Sequence, residues 1–445
     1  MRVLALDVGS SSARACAFDE RGRELGASAR RAHAARHGRH GAAELDPGEL
    51  VRAAESVLAE AGTGHDAIAI SSFWHSLLLL DERDRPLTPV LLWQDRRAAS
   101  QAEELAGRLD ADRVHERTGC VLHPSYWPAK LAWLRAEQPE VLAAAARAVS
   151  FGDYLFLQLT GELRTTLSTA SGTGMLDLRA RGWDGELVRA LELDPALLPP
   201  LGEEPAGERT VFPPLGDGAC SNLGAGCTTG ERAALMIGTS GAYRVLHEAA
   251  PEPKPGLFCY LLDERRVVEG GAVSDGGNLY AWLERTLQLE PAEPREPDAH
   301  GLTFLPLLGG ERSPGWNPRA TGAVTGLTFD VDAADLSQAA LEGATYRLAE
   351  IADRLPQVTE IVATGHALLE SEAWIQLCAD VFGRPVTASA VPEGSARGAA
   401  VYALERLGAE PEDAPFGRTY EPNLARTEVY AAARERQREL YRRLF

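Results

Sequence analysis

Apolar positions open the chain as a short run, Val3–Val8, broken by Gly9–Ser12 and resumed over Ala13–Phe18. That spacing predicts a hairpin, with Asp19–Gly22 as a further turn and Glu24–Arg31 as a third strand. Asp46-Pro47-Gly48-Glu49 reads as a capping box with proline at the first helical position, so a helix is predicted up to a stop at Gly62. Ala67–Ser71 predicts a buried strand with Leu77–Leu80 as its partner, and helical spacing covers residues 97–108, 126–136, 139–147 and 185–192. Strands interleaved with helices and hairpins predict an α/β layer architecture.

A repeat follows. Ala233–Ile237, Gly238-Thr239-Ser240-Gly241 and Ala242–Leu246 match Leu4–Val8, Gly9-Ser10-Ser11-Ser12 and Ala13–Phe18 at an offset of 229 (238 minus 9), about half of the 445 residues. The recurrence predicts two domains of related fold, although a Gly-hydroxyl turn between strands is common enough for coincidence to stay open. Beyond it, Val267–Glu269 and Glu360–Thr364 predict strands. Gly276–Leu287, Asp335–Arg354, Ser371–Phe382 and a final Ala396–Leu407 predict helices, and Pro291–Pro297 a loop.

The length predicts two to four domains with ample core, and 45% apolar residues exclude a disordered chain. A formal charge of −19 argues against nucleic acid and anionic membranes as partners. Lys130 and Lys254 are the only lysines among 45 basic residues, and neither follows a glycine. A Walker A loop is therefore absent, and no V-A-I-K strand points to a protein kinase. The six cysteines form no C-x-x-C pair, so reduced core thiols are expected. The N-terminal apolar run is too short for a signal peptide and no stretch is long enough to span a bilayer, so a cytoplasmic location is expected.

Three stretches carry candidate chemistry. In Asp7-Val8-Gly9-Ser10-Ser11-Ser12-Ala13-Arg14 a strand delivers a carboxylate to a turn rich in amides and hydroxyls. Such a turn can hold phosphate oxygens without lysine, and the carboxylate can hold Mg²⁺ through water; the plainer reading is a hairpin with a polar turn. Asp217, between Gly216 and Gly218, is either a turn residue or a base exposed at a cleft. Ser71–Ser76 and Trp93–Arg97 set polar groups among aromatics, which suits a polyol pocket unless His75 is a core histidine and Arg96 a solvated one.

At this point the chain resembles the FGGY carbohydrate kinases, over nearly its whole length. The most specific stretch is Gly322-Ala323-Val324-Thr325-Gly326-Leu327 followed, after seven residues, by Asp335–Glu342. Asp7–Arg14 resembles the first phosphate motif of that family, residues 237–241 the second, and Asp217 falls at its catalytic aspartate. Within the family the chain is most similar to gluconate kinases, through Phe73–Ser76, Thr118-Gly119 with His123-Pro124, Lys130–Leu134, Asp217–Gly224, Gly238–Arg244, Phe258–Tyr260 and Gly310–Asn317. The adenosine loop departs from the family: Thr364–Ser371 has one glycine, Gly365, where two or three are usual, with His366 beside it. The chain is also some tens of residues shorter, with the loss placed around 285–300.

The resemblance implies an α/β fold of two actin-like, ribonuclease-H-like domains around a central cleft: a sugar-binding domain over 1–228 and a nucleotide-binding domain over 229–445. It implies ATP and Mg²⁺ as cofactors, Asp217 as the base, and Asp7 with Asp217 at the metal. Ser10, Ser11, Ser12, Arg14, Gly238, Thr239, Gly326, Gly365 and His366 would meet the nucleotide. His75, Ser76, Trp93, Arg96, Lys130, Asp217 and Gly218 would meet the sugar. An aldonate needs a local cation, for which Arg96, His75 and Lys130 are the candidates. The expected partners are a small sugar or sugar acid and MgATP, with a homodimer left open. The alternatives are a xylulose or other ketose kinase, a sensor that has lost catalysis, and an actin-like ATPase that needs no sugar.

Overall fold

The computed structural model describes residues 1–26, 28–287 and 295–445. Its first large sheet is built from β1 (Arg2–Val8), β2 (Ser12–Asp19), β3 (Ala29–Ala32), β4 (Ala67–Ser72) and β5 (Leu215–Gly216), in the order β5-β4-β1-β2-β3. The second contains β6 (Arg232–Ile237), β7 (Gly241–Glu248), β8 (Phe258–Leu261), β9 (Arg266–Val273), β10 (Glu360–Thr364), β11 (Val386–Ser389) and β12 (Phe416–Tyr420). Its order is β8-β9-β7-β6-β10-β11-β12.

The predicted duplication is present in this topology. In both sheets a central strand pairs antiparallel with the strand after its turn and parallel with a later strand, which pairs parallel with another. Thus β11-β10-β6-β7-β9 repeats β5-β4-β1-β2-β3, with β8 and β12 added at the edges. Six of the seven residues of β1 are buried and every residue of β4 is, which is why both read as continuous apolar runs rather than alternating ones.

Seven helices position the site or support it: α1 (Pro47–Ala61), α2 (Trp127–Glu137), α3 (Asp217–Gly224), α4 (Gly277–Leu287), α5 (Ala333–Ala352), α6 (Gly394–Arg406) and α7 (Leu424–Leu444). Asp46 caps α1 by accepting from the Glu49 amide at 2.8 Å, and the helix stops at Gly62 as expected. The helices α3 and α6 follow equivalent strands of the two sheets and pack against each other. Their contact depends on missing side chains: a Cβ at Gly224 would lie 1.9 Å from the Gly394 carbonyl, and one at Gly398 1.9 Å from that of Cys220. Each helix also crosses to the other half, α6 onto β1 and β4 and α3 onto β7. Arg397 secures the junction through carbonyls of Gly22, Gly224 and Glu412, at 3.1, 2.8 and 2.6 Å.

Several sequence expectations need correction. Leu78–Leu80 does not pair with β4; it pairs antiparallel with Arg147–Val149, because a run buried on both faces reports its burial and not its neighbour. Gly216-Asp217-Gly218 is not a free turn, since Asp217 is the first residue of α3. Ala396–Leu407 is not the final helix: α7 follows, its polar surface hiding the Tyr430, Ala433 and Gln437 face that it buries. The Pro291–Pro297 loop and the shortening around 285–300 fall partly on 288–294, outside the described residues. All six cysteines are buried and free. Among the described residues no helix is long and apolar enough to cross a membrane.

Candidate active site

Three parallel strands bring the acids of the first half to one sheet edge. Asp7 of β1 is level with Ser71 of β4, and Ser72 is level with Gly216 of β5, so Asp217 leaves the sheet one residue later. With strands about 4.8 Å apart, this places both carboxylates at the same strand ends, where α/β sheets bind ligands. Asp7 accepts from the Ser71 hydroxyl at 2.7 Å. Burial pushes its carboxyl up to about 6, opposed by Ser71 and Arg14 and reinforced by the negative charges of Asp217 and Glu393. Asp7 and Asp217 thus lie close enough for the charge of one to raise the pKa of the other.

Asp217 is held from several sides. Its Oδ1 accepts from the Gly218 amide at 2.8 Å, and the Trp74 amide also donates to the carboxylate. Burial raises its pKa while the Arg244 guanidinium pulls it back. Glycine at 216 and 218 is required because the Trp74 indole fills that space: a Cβ would stand 1.9 Å and 2.3 Å from the ring. The second half reaches the same residue, through Arg244 of β7 and through the Ser395 hydroxyl, which donates to the Asp217 carbonyl at 3.4 Å. Arg244 bonds Asn222 at 3.2 Å, and burial lowers its pKa to about 10. One of its terminal nitrogens is buried without a partner.

Both Gly-hydroxyl turns are closed by the glycine amide at 2.9 Å, Gly9 N–H to Ser12 O in the first and Gly238 N–H to Ser240 O in the second, which is one residue shorter. Ser10 and Ser11 are accessible, whereas Ser12 lies buried in β2. Arg14 donates to Glu393 at 2.8 Å and lies 3.8 Å from Asp7, forming an ion pair between the halves. Around the second turn, the amides of Gly277 and Asn278 at the start of α4 donate to the Gly238 and Thr239 carbonyls at 2.8 and 3.1 Å. Gly365 has φ 86° and packs where a Cβ would be 2.6 Å from the Ile237 carbonyl. Gly238, Thr239 and Gly365 are thereby brought together, with the His366 side chain exposed beside them. Gly326 is not part of this cluster; its neighbours are Gly301 and Leu302.

The polyol pocket is lined by Trp93, Gln94, Arg96, His123, Ser274 and Arg312 among others and is nearly closed, with a free volume of about 20 Å³. His75 is buried in the left-handed region at φ 67°. Its Nδ1 donates to the Gly172 carbonyl at 2.5 Å and its Nε2 accepts from Arg312 at 3.4 Å. Burial and the Arg312 charge hold its pKa well below the usual range, so His75 is not the cation expected for an aldonate. Lys130 is not that cation either. It is 1% exposed, and its ammonium donates to the His75 and Ser125 carbonyls at 2.6 and 2.8 Å while burial lowers its pKa to about 7. Ser76 also stays inside, its Oγ accepting from the Phe151 amide at 3.0 Å. Arg96 does reach the pocket, and beside it stands Arg312, with its guanidinium 4.8 Å from the Trp93 ring centre.

The comparisons with known proteins identify the family. The family model for the N-terminal domain of the FGGY family of carbohydrate kinases matches residues 2–209, and that for the C-terminal domain matches residues 233–405. The chain belongs to the FGGY family of carbohydrate kinases. It is 31% identical to the gluconokinase of Bacillus subtilis over 91% of this chain and 88% of that one. It is 28% identical to the xylulose kinase of Escherichia coli over 99% of each. The gluconate kinase structure from Lactobacillus acidophilus superposes with a TM-score of 0.90 at 28% identity, covering 100% of this chain and 98% of that one. As an FGGY kinase the chain has the two-domain, ribonuclease-H-like fold and is a carbohydrate kinase acting with ATP on small-molecule sugars.

Three residues that the fold brings to this candidate site were not legible in the sequence. Arg244 and Arg312 lie inside stretches that already carried the family resemblance, yet nothing local marks them as buried and facing the cleft. Glu393 meets Arg14 across 379 residues of chain, and no spacing rule links them.

Proposed function

We propose that this FGGY kinase transfers the γ-phosphate of ATP to a terminal hydroxyl of a sugar acid, with D-gluconate as acceptor and 6-phosphogluconate as product. The observation that carries the choice is the charge of the polyol pocket. Arg312 and Arg96 both line it; the one acid in the lining, Glu311, is paired with Arg347, and among the described residues neither Arg312 nor Arg96 has a carboxylate partner. Arg312 is only 8% exposed, with its Nε buried and unpartnered. An unpaired buried guanidinium is costly, and a substrate carboxylate would satisfy it with a bidentate bond.

In this reading Asp217 takes the hydroxyl proton as the oxygen attacks the γ-phosphorus; a positioned base contributes ~10²–10⁴ in rate. Burial raises its pKa, which makes it the stronger base, while the Arg244 charge favours its ionised form. Ser10, Ser11 and Thr239 offer hydroxyls to the phosphates, Gly238 leaves room beside them, and Gly365 with His366 would lie against the adenosine. Asp7, with Ser71 aligning one of its oxygens, is the residue that would hold Mg²⁺, which when bound neutralises phosphate charge. The nearly closed pocket requires the halves to part before a polyol enters, with water excluded on reclosure. The functional division of the chain falls at 228/229, between α3 and β6.

The test is a phosphorylation panel of gluconate, xylulose, glycerol and other polyols with coupled ADP detection, on wild type and Arg312→Gln. Gluconate is expected to give the highest kcat/KM and to lose ~10–10²-fold on the substitution, the worth of a hydrogen bond to a charged group, while neutral polyols change less. A second reading, a xylulose kinase, draws on the relative that covers 99% of the chain; preferential turnover of xylulose would establish it and displace the first.

A further inference from the structure

Next to the loop that carries Arg312 lies an open hollow of about 210 Å³. Its floor is Pro314 and Gly315, and its walls carry Arg347 and Arg354 from the α5 side and Arg438 and Arg442 from α7. Four guanidinium groups face it with one carboxylate, Glu350. Both Glu350 oxygens are engaged, one by Arg347 at 2.5 Å and the other by Arg438 at 3.2 Å. Further acids stand at the back of the wall: Asp353 with Arg438, Glu435 and Glu439 with Arg442, and Glu311 with Arg347.

Unused donors remain after that pairing. Arg354 has no carboxylate partner among the described residues; it donates only to the Glu350 carbonyl, at 2.7 Å. Arg347 is 3% exposed, and its Nε is buried without a partner. Glu311, Glu350, Asp353, Glu435 and Glu439 offset the charge of the other arginines, so the free capacity lies in Arg354 and in the Arg347 Nε. Guanidinium forks match a tetrahedral dianion better than a single carboxylate, because several oxygens can be held at once.

The cavity is also wired to the sugar pocket. Arg347 pairs with Glu311, which accepts from the Tyr441 hydroxyl at 2.6 Å and immediately precedes Arg312. Gly315 leaves the space for this contact, since a Cβ there would be 2.5 Å from the Glu311 carboxylate and the Tyr441 oxygen.

We propose that this arginine cavity is an effector site for a phosphomonoester dianion, and that its occupancy is read at the sugar pocket through Glu311 and Arg312. Binding here does not depend on which sugar is phosphorylated; only the kinetic read-out rests on the kinase assignment. Calorimetric titration of the full chain with inorganic phosphate, and separately with 6-phosphogluconate, tests it on wild type, Arg354→Gln, Arg354→Lys and Arg442→Gln.

Each glutamine variant is expected to weaken binding at least tenfold, with Arg354→Lys between. Equal affinity for the two probes would identify free phosphate as the occupant, and tighter 6-phosphogluconate a phosphorylated metabolite. In turnover assays, phosphate is expected to move the acceptor KM at least threefold in wild type but not in Arg354→Gln, at unchanged kcat. Wild-type affinity in both glutamine variants, or no binding of either probe, overturns the proposal. Thermal melts of the exposed-site variant Arg442→Gln separate lost binding from lost folding.

Discussion

Around the first turn, charge is carried by side chains: Asp7 ends β1, Arg14 follows in β2, and both lie within reach of Glu393. Around the second turn, the equivalent strand ends in Met236 and Ile237, and the turn's carbonyls are occupied by amides of α4. The same hairpin thus serves two purposes. In the first half it carries a carboxylate and hydroxyls; in the second it offers backbone and space, with Gly365 packed where a side chain would collide with Ile237. A duplicated unit keeps its strand order because the core enforces it, while its turn is free to change chemistry.

If the first half supplies side-chain chemistry, the largest effect belongs to Asp217. Asp217→Asn is expected to lower kcat at least ~10²-fold with acceptor binding retained, since general-base catalysis is worth that much. Single-turnover and binding measurements check it, and a variant keeping a tenth of wild-type kcat would break the comparison.

Next comes a contrast within the second half. Gly365→Ala forces a side chain into the left-handed region and against the Ile237 backbone, so it should cost ~1–3 kcal/mol in stability and raise the KM for ATP severalfold. Thr239→Ala, which leaves the backbone intact, should change that KM by less than about threefold. Equal losses would show that the second turn, too, works through its side chains.

The last contrast concerns pH and touches stability alone. Burial raises Asp7 from 3.8 to about 6, so the folded state holds its proton more tightly than the unfolded state. This group's contribution to stability is therefore most favourable below pH 4 and declines as pH rises to about 6. At ~1.4 kcal/mol per unit the decline totals about 3 kcal/mol at most. In melts with EDTA, Asp7→Asn should match wild type near pH 4 and exceed it at pH 8. A wild type that is the more stable at pH 8 would mean that Arg14 and Ser71 outweigh burial.

Much of this was legible along the chain. Asp7 before a Gly-Ser turn, the recurrence at residue 238 and the β10 segment Glu360–Thr364 follow from period and composition, which act over a few residues. Asp46 and Gly62 marked the ends of α1 because capping is a local hydrogen-bonding requirement. Asp217 was found as a candidate base, although its place at the head of α3 was not.

What spacing does not encode is which buried surface meets which. Lys130 and Ser76 looked like pocket residues, and only packing shows them turned toward backbone groups of their own half. Arg312 lines the pocket because a loop from the second half lays it over Trp93, and Arg14 found Glu393 because α6 crosses onto the first sheet. Local sequence determined the strands, turns and caps, whose energetics are settled by near neighbours. The tertiary structure alone decided which charges are desolvated together, because burial and Coulomb interaction depend on distance in space and not on distance along the chain.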